Sequence, residues 1–245
     1  MNASPLYAGD PRQNLLLAAL PDPEWDRWQP SLEPVDLKLG QVLCEAGNSS
    51  AHVFFPTTAI VSLLHRTRDG ATAEIAVVGN DGMVGVSLIM GGDAMPSQAI
   101  VQSAGQGYRL NAQTLKNEVL CGGAVLQILL RYMQALIAQV GQTAMCNRYH
   151  SIDQQLSRRL LMGLDRLETD ELLMTQELAA SLLGVRREGV TAAAVKLQQA
   201  GVIRYWRGHI AVLDRNRLEE RTCECYSAAK KEHQRLLPTP MPLAA

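Results

Sequence analysis

Residues 175–212 read TQELAASLLGVRREGVTAAAVKLQQAGVIRYWRGHIAV, and this stretch decides the fold of the C-terminal part of the chain. Thr175 is a residue type that caps helices, and a first helix is predicted over residues 176–183. Gly184 supplies a turn that other residues resist. A second helix opens at residues 186–188 and extends to about residue 199. This spacing predicts a helix-turn-helix, in which the second helix lies in the major groove of DNA.

The residues that follow the second helix narrow this interpretation. An ordinary pair of packed helices would also place alanine, glycine and valine at these intervals, so the helices alone leave that alternative open. Gly201 ends the second helix, and two β-rich runs flank the turn at Arg207 and Gly208. Two helices followed by a short β-ribbon predict a winged helix-turn-helix domain.

The charge distribution fits a nucleic-acid partner for this region. Residues 175–209 contain five Lys or Arg and two Asp or Glu, a net charge of +3. Residues 31–111 contain four Lys or Arg and seven Asp or Glu, a net charge of −3. The whole-chain charge of −1 therefore averages a basic end suited to phosphates and an acidic end that is not. The side chains expected to contact double-stranded DNA are Thr175, Gln176, Arg186, Arg187, Glu188, Thr191, Arg204 and Arg207.

Length and composition bound the class of the protein. A chain of 245 residues with an ordinary globular composition is long enough for two domains with their own cores. No apolar run of the sequence reaches a membrane-spanning length, and the first residues lack the charged-then-apolar order of a signal peptide. The five cysteines are odd in number and are not spaced as a disulfide framework. We therefore expect a cytoplasmic protein with no membrane partner.

The cysteines and histidines match no common metal motif. No CxxC pair occurs, so a zinc knuckle or a cysteine-held iron–sulfur cluster has no obvious position. Cys146 and His150 are four residues apart and would share one face of a continuing helix, but a packed thiol and a solvated imidazole give the same pattern. Cys223 and Cys225 fall on a predicted helix, where residues two apart point in different directions. We predict no metal site and identify no cofactor.

The N-terminal half has the pattern of a small β-sandwich or barrel. An amphipathic segment over residues 13–28 precedes short apolar runs that are separated by glycine-rich turns. Modules of this size commonly hold a ligand. The predicted strands cover residues 35–44, 52–55, 59–67, 73–78, 83–88, 99–103 and 108–110.

A long helix is predicted over residues 112–150. Apolar residues recur along it in steps of four and three, which keeps one face apolar. That face would pack either on its own domain or against the same helix of a second chain. We favour a parallel homodimer, because a helix-turn-helix normally binds DNA twice, about one helical turn apart. The predicted dimer contacts are Leu126, Leu130, Met133, Ile137, Val140 and Ala144. A connecting helix over residues 151–167 and a terminal helix over residues 214–235 complete the chain.

This order of elements resembles the Crp/Fnr superfamily of bacterial transcription regulators, over about residues 15–230. The resemblance rests on residues 39–47 (LGQVLCEAG), 79–85 (GNDGMVG), 174–179 (MTQELA) and 185–188 (VRRE). It implies a cyclic-nucleotide-type β-roll, a dimer interface along the long helix, and a ligand at their junction that reorients the recognition helices.

The resemblance also implies roles on the recognition helix. Arg187 would donate to a guanine edge and Glu188 would accept from a cytosine. Ala192 stands where a second base-reading arginine is common in the family, so an operator sequence cannot be carried over from the family. Arg186 is a candidate for the missing contact.

The chain departs from the family at the nucleotide site. Cyclic-nucleotide binders of the superfamily carry a Gly-Glu pair and, about ten residues later, an Arg-Ser pair, which hold the ribose and the phosphate. Here Gly85 is followed by Val86 and Ser87, and the later position contains Pro96 and Ser97. A buried phosphate without a cation is costly, so cyclic AMP is not expected to bind in the usual pose. The candidate effector contacts are Val86, Ser87, Ser97 and, for an anionic ligand, Arg109. The alternative interpretation of Arg109 is an ordinary arginine on the protein surface.

These observations predict an α+β protein of five regions. They are a flanking segment (residues 1–30), a cupin-like or cyclic-nucleotide-binding-like β-roll (31–111), a long dimerisation helix (112–150), a winged helix-turn-helix domain (151–216), and a C-terminal helix and tail (217–245). The predicted partners are double-stranded DNA, a second copy of the chain and RNA polymerase.

The predicted function is a dimeric, sequence-specific transcription regulator that is gated by an unidentified effector in the β-roll. An effector-independent regulator is the alternative, with a β-roll that serves only as a scaffold and is filled by Val86, Leu88 and Met95. A third class, an enzyme, has no catalytic residues to support it, because no nucleophile–base pair, metal quartet or phosphate loop occurs in the sequence.

Overall fold

The computed structural model describes residues 9–92, 94–167 and 169–237. The first eight residues of the predicted flanking segment and the last eight of the predicted tail lie outside this range. Within it, a β domain, a long helix and a C-terminal domain of helices with a small sheet follow one another along the chain. The predicted α+β fold is confirmed.

Two short helices, α1 (Leu15–Ala18) and α2 (Asp22–Trp28), open the described chain. They form the predicted amphipathic segment, interrupted because Pro21 cannot continue a helix from α1. Asn14 attaches this segment to the β domain. Its side-chain amide donates hydrogen bonds of 2.8 Å to the carbonyls of Pro56 and Gly82.

The β domain is a roll of two antiparallel sheets. Its strands are β1 (Glu33–Leu37), β2 (Val42–Cys44), β3 (His52–Pro56), β4 (Ile60–Arg66), β5 (Thr72–Val78), β6 (Gln98–Ser103) and β7 (Gly105–Asn111). One sheet has the order β1-β7-β3 and the other the order β2-β6-β4-β5. The interior between the sheets is apolar and carries buried side chains from both.

Two of the strand predictions were wrong. The predicted strand over residues 35–44 is divided into β1 and β2, because the chain turns at Gly40, whose φ is +76°. The predicted strand over residues 83–88 is an isolated bridge from Val84 to Phe54 followed by a short 3-10 helix. Gly85 has a φ of +117°, which breaks an extended run and which side-chain-bearing residues avoid.

The predicted long helix over residues 112–150 is also broken. It is divided into α3 (Ala112–Cys121) and α4 (Gly123–Tyr149). Gly122 and Gly123 have φ values of +73° and +81°, a left-handed conformation that interrupts a right-handed helix. The long helix therefore begins at Gly123 and, at 1.5 Å per residue, is about 40 Å long.

By length and composition alone, α4 would be able to cross a membrane. Its most apolar window has a mean hydropathy of 1.3, which corrects the expectation that no run reaches this length. A third of that window is buried inside the protein, where α4 packs against β5 and the C-terminal helix. This test is weak evidence for a membrane span, because the core helices of globular proteins also pass it.

The C-terminal domain combines six helices and strands around a recognition unit. In chain order these elements are α5 (Ile152–Leu164), β8 (Glu171–Leu173), α6 (Gln176–Leu183), α7 (Arg187–Gln199), β9 (Ile203–Trp206) and β10 (His209–Val212). The predicted helices over residues 176–183 and 187–199 and the ribbon after them are confirmed. The sheet order is β8-β10-β9, and β8 is a strand that the sequence did not predict.

The predicted terminal helix over residues 214–235 is two helices, α8 (Arg215–Arg221) and α9 (Glu224–Leu236). The break falls at Thr222 and Cys223, which have extended backbone angles. Helix α9 runs back to pack against α4. The C-terminal end of the described chain is thereby attached to the long helix.

The C-terminal domain is docked directly on the roll. One continuous apolar cluster joins Ile60 and Val77 of the roll to α5 and α6. The hydroxyls of Thr72 and Ser181 lie 2.5 Å apart across this boundary. In this position α6 packs directly on β5 of the roll.

Candidate nucleic-acid interface

The turn between α6 and α7 is fixed by local contacts. The Thr175 side chain caps α6, accepting a hydrogen bond of 3.1 Å from the Leu178 amide. Gly184 ends α6 in the left-handed conformation, with φ +65° and ψ +33°. Val190 and Ala193 of α7 are buried in the angle between the helices. The orientation of α7 is therefore set by packing and backbone geometry.

The outer face of α7 presents charged side chains at its N-terminal end. Arg186, Arg187 and Glu188 are all exposed, as is Ala192 one turn later. Thr191 is half-buried, and its hydroxyl lies 2.8 Å from the side-chain oxygen of Gln176. These residues lie at the end of the helix that helix-turn-helix proteins direct at base edges.

The wing places further cations beside this helix. Arg207 and Gly208, with φ values of +44° and +84°, form the tight turn between β9 and β10. The Gly208 carbonyl accepts a hydrogen bond of 2.7 Å from the Met174 amide, which holds the turn next to the start of α6. The Arg204 guanidinium lies over the Trp206 ring at 4.7 Å. The wing therefore offers one arginine at its tip and one along its edge.

Sequence reasoning missed several groups around these residues. The Trp206 ring stacks on His209, and the His209 Nδ1 atom lies 2.6 Å from a Glu171 carboxylate oxygen. Burial raises the pKa of the Tyr205 phenol, which lies near the Gln176 backbone. Glu171 belongs to the unpredicted β8, so its contact with the wing had no counterpart in the sequence pattern.

Helix α4 has two distinct apolar faces. The face that is buried within the chain carries Val125, Ile128, Leu129, Tyr132, Ala135 and Leu136. The predicted dimer contacts lie on a different face, and we call these six residues the heptad seam. Ile137 of the seam is 67% exposed and Leu130 is 49% exposed in the single chain. Leu126, Met133 and Val140 are partly buried, and Ala144 is exposed.

The predicted effector residues do not all meet in one place. Ser87 and Ser97 are buried in the roll, Val86 is partly buried there, and the Ser87 hydroxyl donates to the Met95 sulfur at 3.0 Å. Arg109 is on the outer face of the sheet, because its strand neighbours are buried on the other face. It forms a 2.7 Å ion pair with Glu33. Arg109 therefore matches the alternative of a surface arginine and not that of a contact inside the roll.

A buried polar network joins the roll to the C-terminal domain. The Arg159 guanidinium of α5 forms an ion pair with Glu74 of β5, and it also donates to the side-chain oxygen of Gln102. The Ser62 hydroxyl lies within hydrogen-bonding distance of both the Glu74 carboxylate and the Gln102 side-chain oxygen, and it can donate its one proton to either. All four side chains are buried, so the network sits inside the domain boundary.

A second polar cluster surrounds Asp165, beside a cleft of about 170 Å³ between α4, α5 and α9. Arg215 and Tyr226 donate to its carboxylate, and Lys230 does so at 3.1 Å. Burial alone would raise the pKa of Asp165, but these donors and the Lys230 charge outweigh it and lower that pKa below its ordinary value. Asp165 is therefore held as a carboxylate that links α5 to α8 and α9.

Comparison with protein-family models identifies two domains in the chain. A cyclic nucleotide-binding domain matches residues 34–119, and a Crp-like helix-turn-helix domain matches residues 154–221. The first covers the roll and α3, and the second covers α5 to α8. Comparison with curated proteins gave no match.

Solved structures share the whole arrangement. FixK2 from Bradyrhizobium japonicum is 14% identical, with a TM-score of 0.68 over 78% of this chain and 98% of that one. A regulator of the Crp/Fnr family from Eubacterium rectale is 19% identical, with a TM-score of 0.64 over 85% and 98%. Another from Thermus thermophilus is also 19% identical, with a TM-score of 0.63 over 80% and 98%. At these identities the similarity establishes the fold.

Proposed function

The chain belongs to the Crp/Fnr superfamily of transcription regulators, and we propose that it binds DNA as a homodimer with the α7 helix of each copy in a major groove. The observation that carries the proposal is the pair of exposed surfaces in the single chain. Arg186, Arg187 and Glu188 are exposed at the start of α7, and Leu130, Ile137 and Ala144 of the heptad seam are exposed along α4. The first surface suits DNA, and the second suits a second copy.

The dimer is supported by the separation of the two faces of α4. Leu126, Met133 and Val140 of the heptad seam pack partly on the core of their own chain, whereas Leu130 and Ile137 remain exposed beside the inward face and are free to meet a second copy. Exposed Leu130 and Ile137 lie seven residues apart, the repeat of a coiled coil. A parallel pairing along this seam would set two α7 helices for two half-sites.

The contacts to DNA divide into two kinds. We assign Arg187 and Glu188 to base edges, as the family resemblance implies, with Arg186 beside them. We assign Thr175 and Gln176, at the start of α6, to the sugar-phosphate backbone of the DNA. Thr191 of α7 donates a hydrogen bond to the Gln176 side chain and so lies beside them. Arg204 and Arg207 of the wing are assigned to phosphates, which position a protein without reading sequence.

The role of the roll has two candidate answers. The first is that an effector bound in the roll gates DNA binding. The second is that the roll is a scaffold, and one observation favours it: Met95 and Leu88 are buried in the interior, with Ser87 hydrogen-bonded to the Met95 sulfur. Side chains therefore already fill part of the space that a ligand would need.

Regulation of transcription would place the bound dimer beside RNA polymerase, and we propose the polymerase as a further partner in the cytoplasm. The proposal on DNA binding is tested by selecting binding sequences from random double-stranded DNA with the purified protein. The expected result is a two-fold symmetric site with half-sites about 10–10.5 base pairs apart or a multiple of that spacing. Enrichment of a single half-site, or of no sequence, would contradict it.

The two candidates for the roll are separated by a thermal shift panel of nucleotides, haem and small anions. A ligand that binds only the folded state raises the melting temperature. Specific DNA binding with no ligand response supports the scaffold. A response that also changes DNA affinity supports gating.

A further inference from the structure

Three cysteines and a histidine converge where α4 meets the start of α9. Cys146 lies in the last turn of α4 and His150 follows its end, while Cys223 precedes α9 and Cys225 lies in its first turn. Their ligand atoms all lie within 4.8 Å of one another. The Cys146 and Cys223 sulfurs are 3.5 Å apart, as are the Cys225 sulfur and the His150 Nδ1 atom.

The break between α8 and α9 produces this arrangement. On a continuous helix, which the sequence pattern predicts over residues 214–235, Cys223 and Cys225 would point apart. Cys223 instead occupies the position before α9, with an extended backbone, so both thiols turn toward Cys146. Residues that are 77 positions apart in the sequence are brought into contact by the packing of α9 on α4.

We propose that these four residues bind one divalent metal ion of the zinc class in a tetrahedral Cys3His site. Bonds of about 2.3 Å to sulfur and about 2.0–2.1 Å to nitrogen place tetrahedral ligands about 3.3–3.8 Å apart. The two 3.5 Å separations lie in that range, and the widest requires about 1 Å of closure. Thiolates and imidazole are the donors that such an ion prefers.

The surroundings of the site match a metal-bound histidine. The His150 Nε2 atom lies 3.4 Å from a Glu224 carboxylate oxygen. A proton on Nε2 that faces this carboxylate leaves Nδ1 free, and Nδ1 is the atom directed at Cys225. Metal-binding histidines commonly donate their other ring N–H to a carboxylate in this way.

Charge gives an independent reason for an anionic centre here. Arg158 is only 6% exposed, and it donates a 3.0 Å hydrogen bond to the neutral Thr143 hydroxyl. Among the described residues it has no ion-pair partner, although a buried charge is costly without one. Burial raises the pKa of both the Cys146 and the Cys225 thiol, and the nearby positive charge of Arg158 opposes that rise. Three thiolates around a divalent cation carry a net charge of −1, which Arg158 would neutralise.

An ion in this site would connect two parts of the molecule. Cys146 and His150 belong to the long helix, and Cys223 and Cys225 belong to the end of the C-terminal domain. Metal binding contributes its free energy to the state in which all ligands are assembled. The bound ion would therefore hold α9 on α4 and restrain the join between α4 and α5.

The test uses the full chain, reduced, stripped of metal with a chelator, and titrated with Co²⁺. Co²⁺ bound by thiolates in a tetrahedral site shows strong visible bands and a sulfur-to-metal charge-transfer band in the near ultraviolet. We expect these bands to saturate at one Co²⁺ per chain and to disappear when Zn²⁺ is added. We also expect the metal to raise the melting temperature. Weak six-coordinate absorption, or no saturation, would overturn the proposal.

Variants locate the site. Cys146→Ser, Cys223→Ser and Cys225→Ser should each remove charge-transfer intensity, and Glu224→Gln should weaken affinity about 10–100-fold while keeping the bands. Cys44→Ser, in the roll, and Cys121→Ser, at the exposed end of α3, are the matched controls and should leave the titration unchanged. Bands lost in the controls instead would overturn the assignment.

The chain purified without reductant supplies a second measurement that needs no variant. The proposal expects stoichiometric zinc by elemental analysis and no Cys146–Cys223 disulfide by mass spectrometry. Protein that contains no zinc although it was purified in zinc-supplemented buffer, and that holds a Cys146–Cys223 disulfide instead, would overturn the proposal. Neither the Co²⁺ titration nor the analysis of the purified chain involves DNA, so the metal proposal can fail or succeed independently of the proposed DNA-binding function.

Discussion

Arg159 and Glu74 form a buried ion pair across the boundary between the C-terminal domain and the roll. The Arg159 Nε atom lies 2.6 Å from a Glu74 carboxylate oxygen, and the two side chains are 4% and 8% exposed. Removing one member would leave a charge in a site that water does not reach. The pair therefore makes the docked position of the DNA-binding domain depend on a specific contact, in addition to the apolar cluster around it.

Glu74→Leu should reduce the free energy of unfolding by about 3–5 kcal/mol, because the Arg159 guanidinium would stay buried without its counter-ion. Urea denaturation followed by circular dichroism measures the change. The double variant Glu74→Leu with Arg159→Met replaces both charges with apolar groups and should recover most of the loss. If the double variant is as unstable as the single one, the pair contributes net stability itself and the expectation fails.

Base recognition can be separated from phosphate binding. If Arg187 donates to a guanine edge, Arg187→Ala should weaken binding to the best site by about 1–3 kcal/mol and relax the preference at one base pair per half-site. Fluorescence anisotropy with single-base variants of the selected site measures both effects.

The wing arginines provide the contrast. Arg204→Ala and Arg207→Ala should weaken binding to every sequence alike and reduce the salt dependence of affinity. A uniform loss for Arg187→Ala as well would assign Arg187 to the phosphates instead.

The sequence predicted the C-terminal domain well because the determinants there are local. A capping threonine, a left-handed glycine and a basic two-residue turn each act on their own neighbourhood, and α6, α7, β9 and β10 lie where these residues place them. The role of the heptad seam stays a prediction: the three-four repeat marks a face on which Leu130 and Ile137 are exposed, while Leu126, Met133 and Val140 also pack partly on the core of their own chain.

The sequence failed where tertiary packing decides. The apolar pattern of residues 112–150 continues as a helical pattern across Gly122 and Gly123. The break between α3 and α4 is seen only in the left-handed backbone angles of these two glycines. Strand β8 is only three residues long, which is too short to show the alternating apolar pattern of a strand. It is a strand because it pairs with β10. The cysteine cluster depends on the docking of α9 against α4, so the sequence near Cys146 or near Cys223 contains no local pattern that predicts it.

The heptad seam predicts a specific effect on assembly. Replacing Leu130 and Ile137 with glutamate places like charges on the face that a second α4 would cover, where burial prevents their solvation. We expect monomers by sedimentation equilibrium and much weaker DNA binding. Both side chains are exposed in the single chain, so its own fold should be preserved. Met133, in contrast, contacts the core of its own chain and would confuse assembly with folding.

A control on the same helix sharpens this test. Gln127→Glu is at an exposed position outside the seam and should leave the dimer intact. Should the Leu130 and Ile137 double variant stay dimeric while it remains folded, α4 is not the interface.

The roll predicts no response to cyclic AMP in the usual pose. Val86, Ser87 and Pro96 stand where the family carries its glutamate and its phosphate-binding arginine, and Met95 is 2% exposed in the interior. Calorimetry should show no saturable binding near one millimolar, which corresponds to less than about 4 kcal/mol of binding free energy. A cyclic-AMP-binding member of the superfamily, measured in parallel, verifies the assay. Tight binding by this chain would contradict the expectation.

Asp165 predicts a pH dependence of stability with a definite sign. Its pKa is lowered in the folded protein, on balance, by the Arg215, Tyr226 and Lys230 contacts, while the unfolded value is near 3.9. A lowered folded pKa stabilises the protein fully at pH values above the unfolded pKa, and this stabilisation is lost as the pH falls through the folded pKa. Asp165→Asn should therefore be less stable than the wild type at pH 7, and the difference should shrink as the medium is acidified below about pH 4. Urea midpoints of both proteins across this range measure it. A difference that stays constant or grows in acid would show that packing around the side chain, and not its charge, links α5 to α8 and α9.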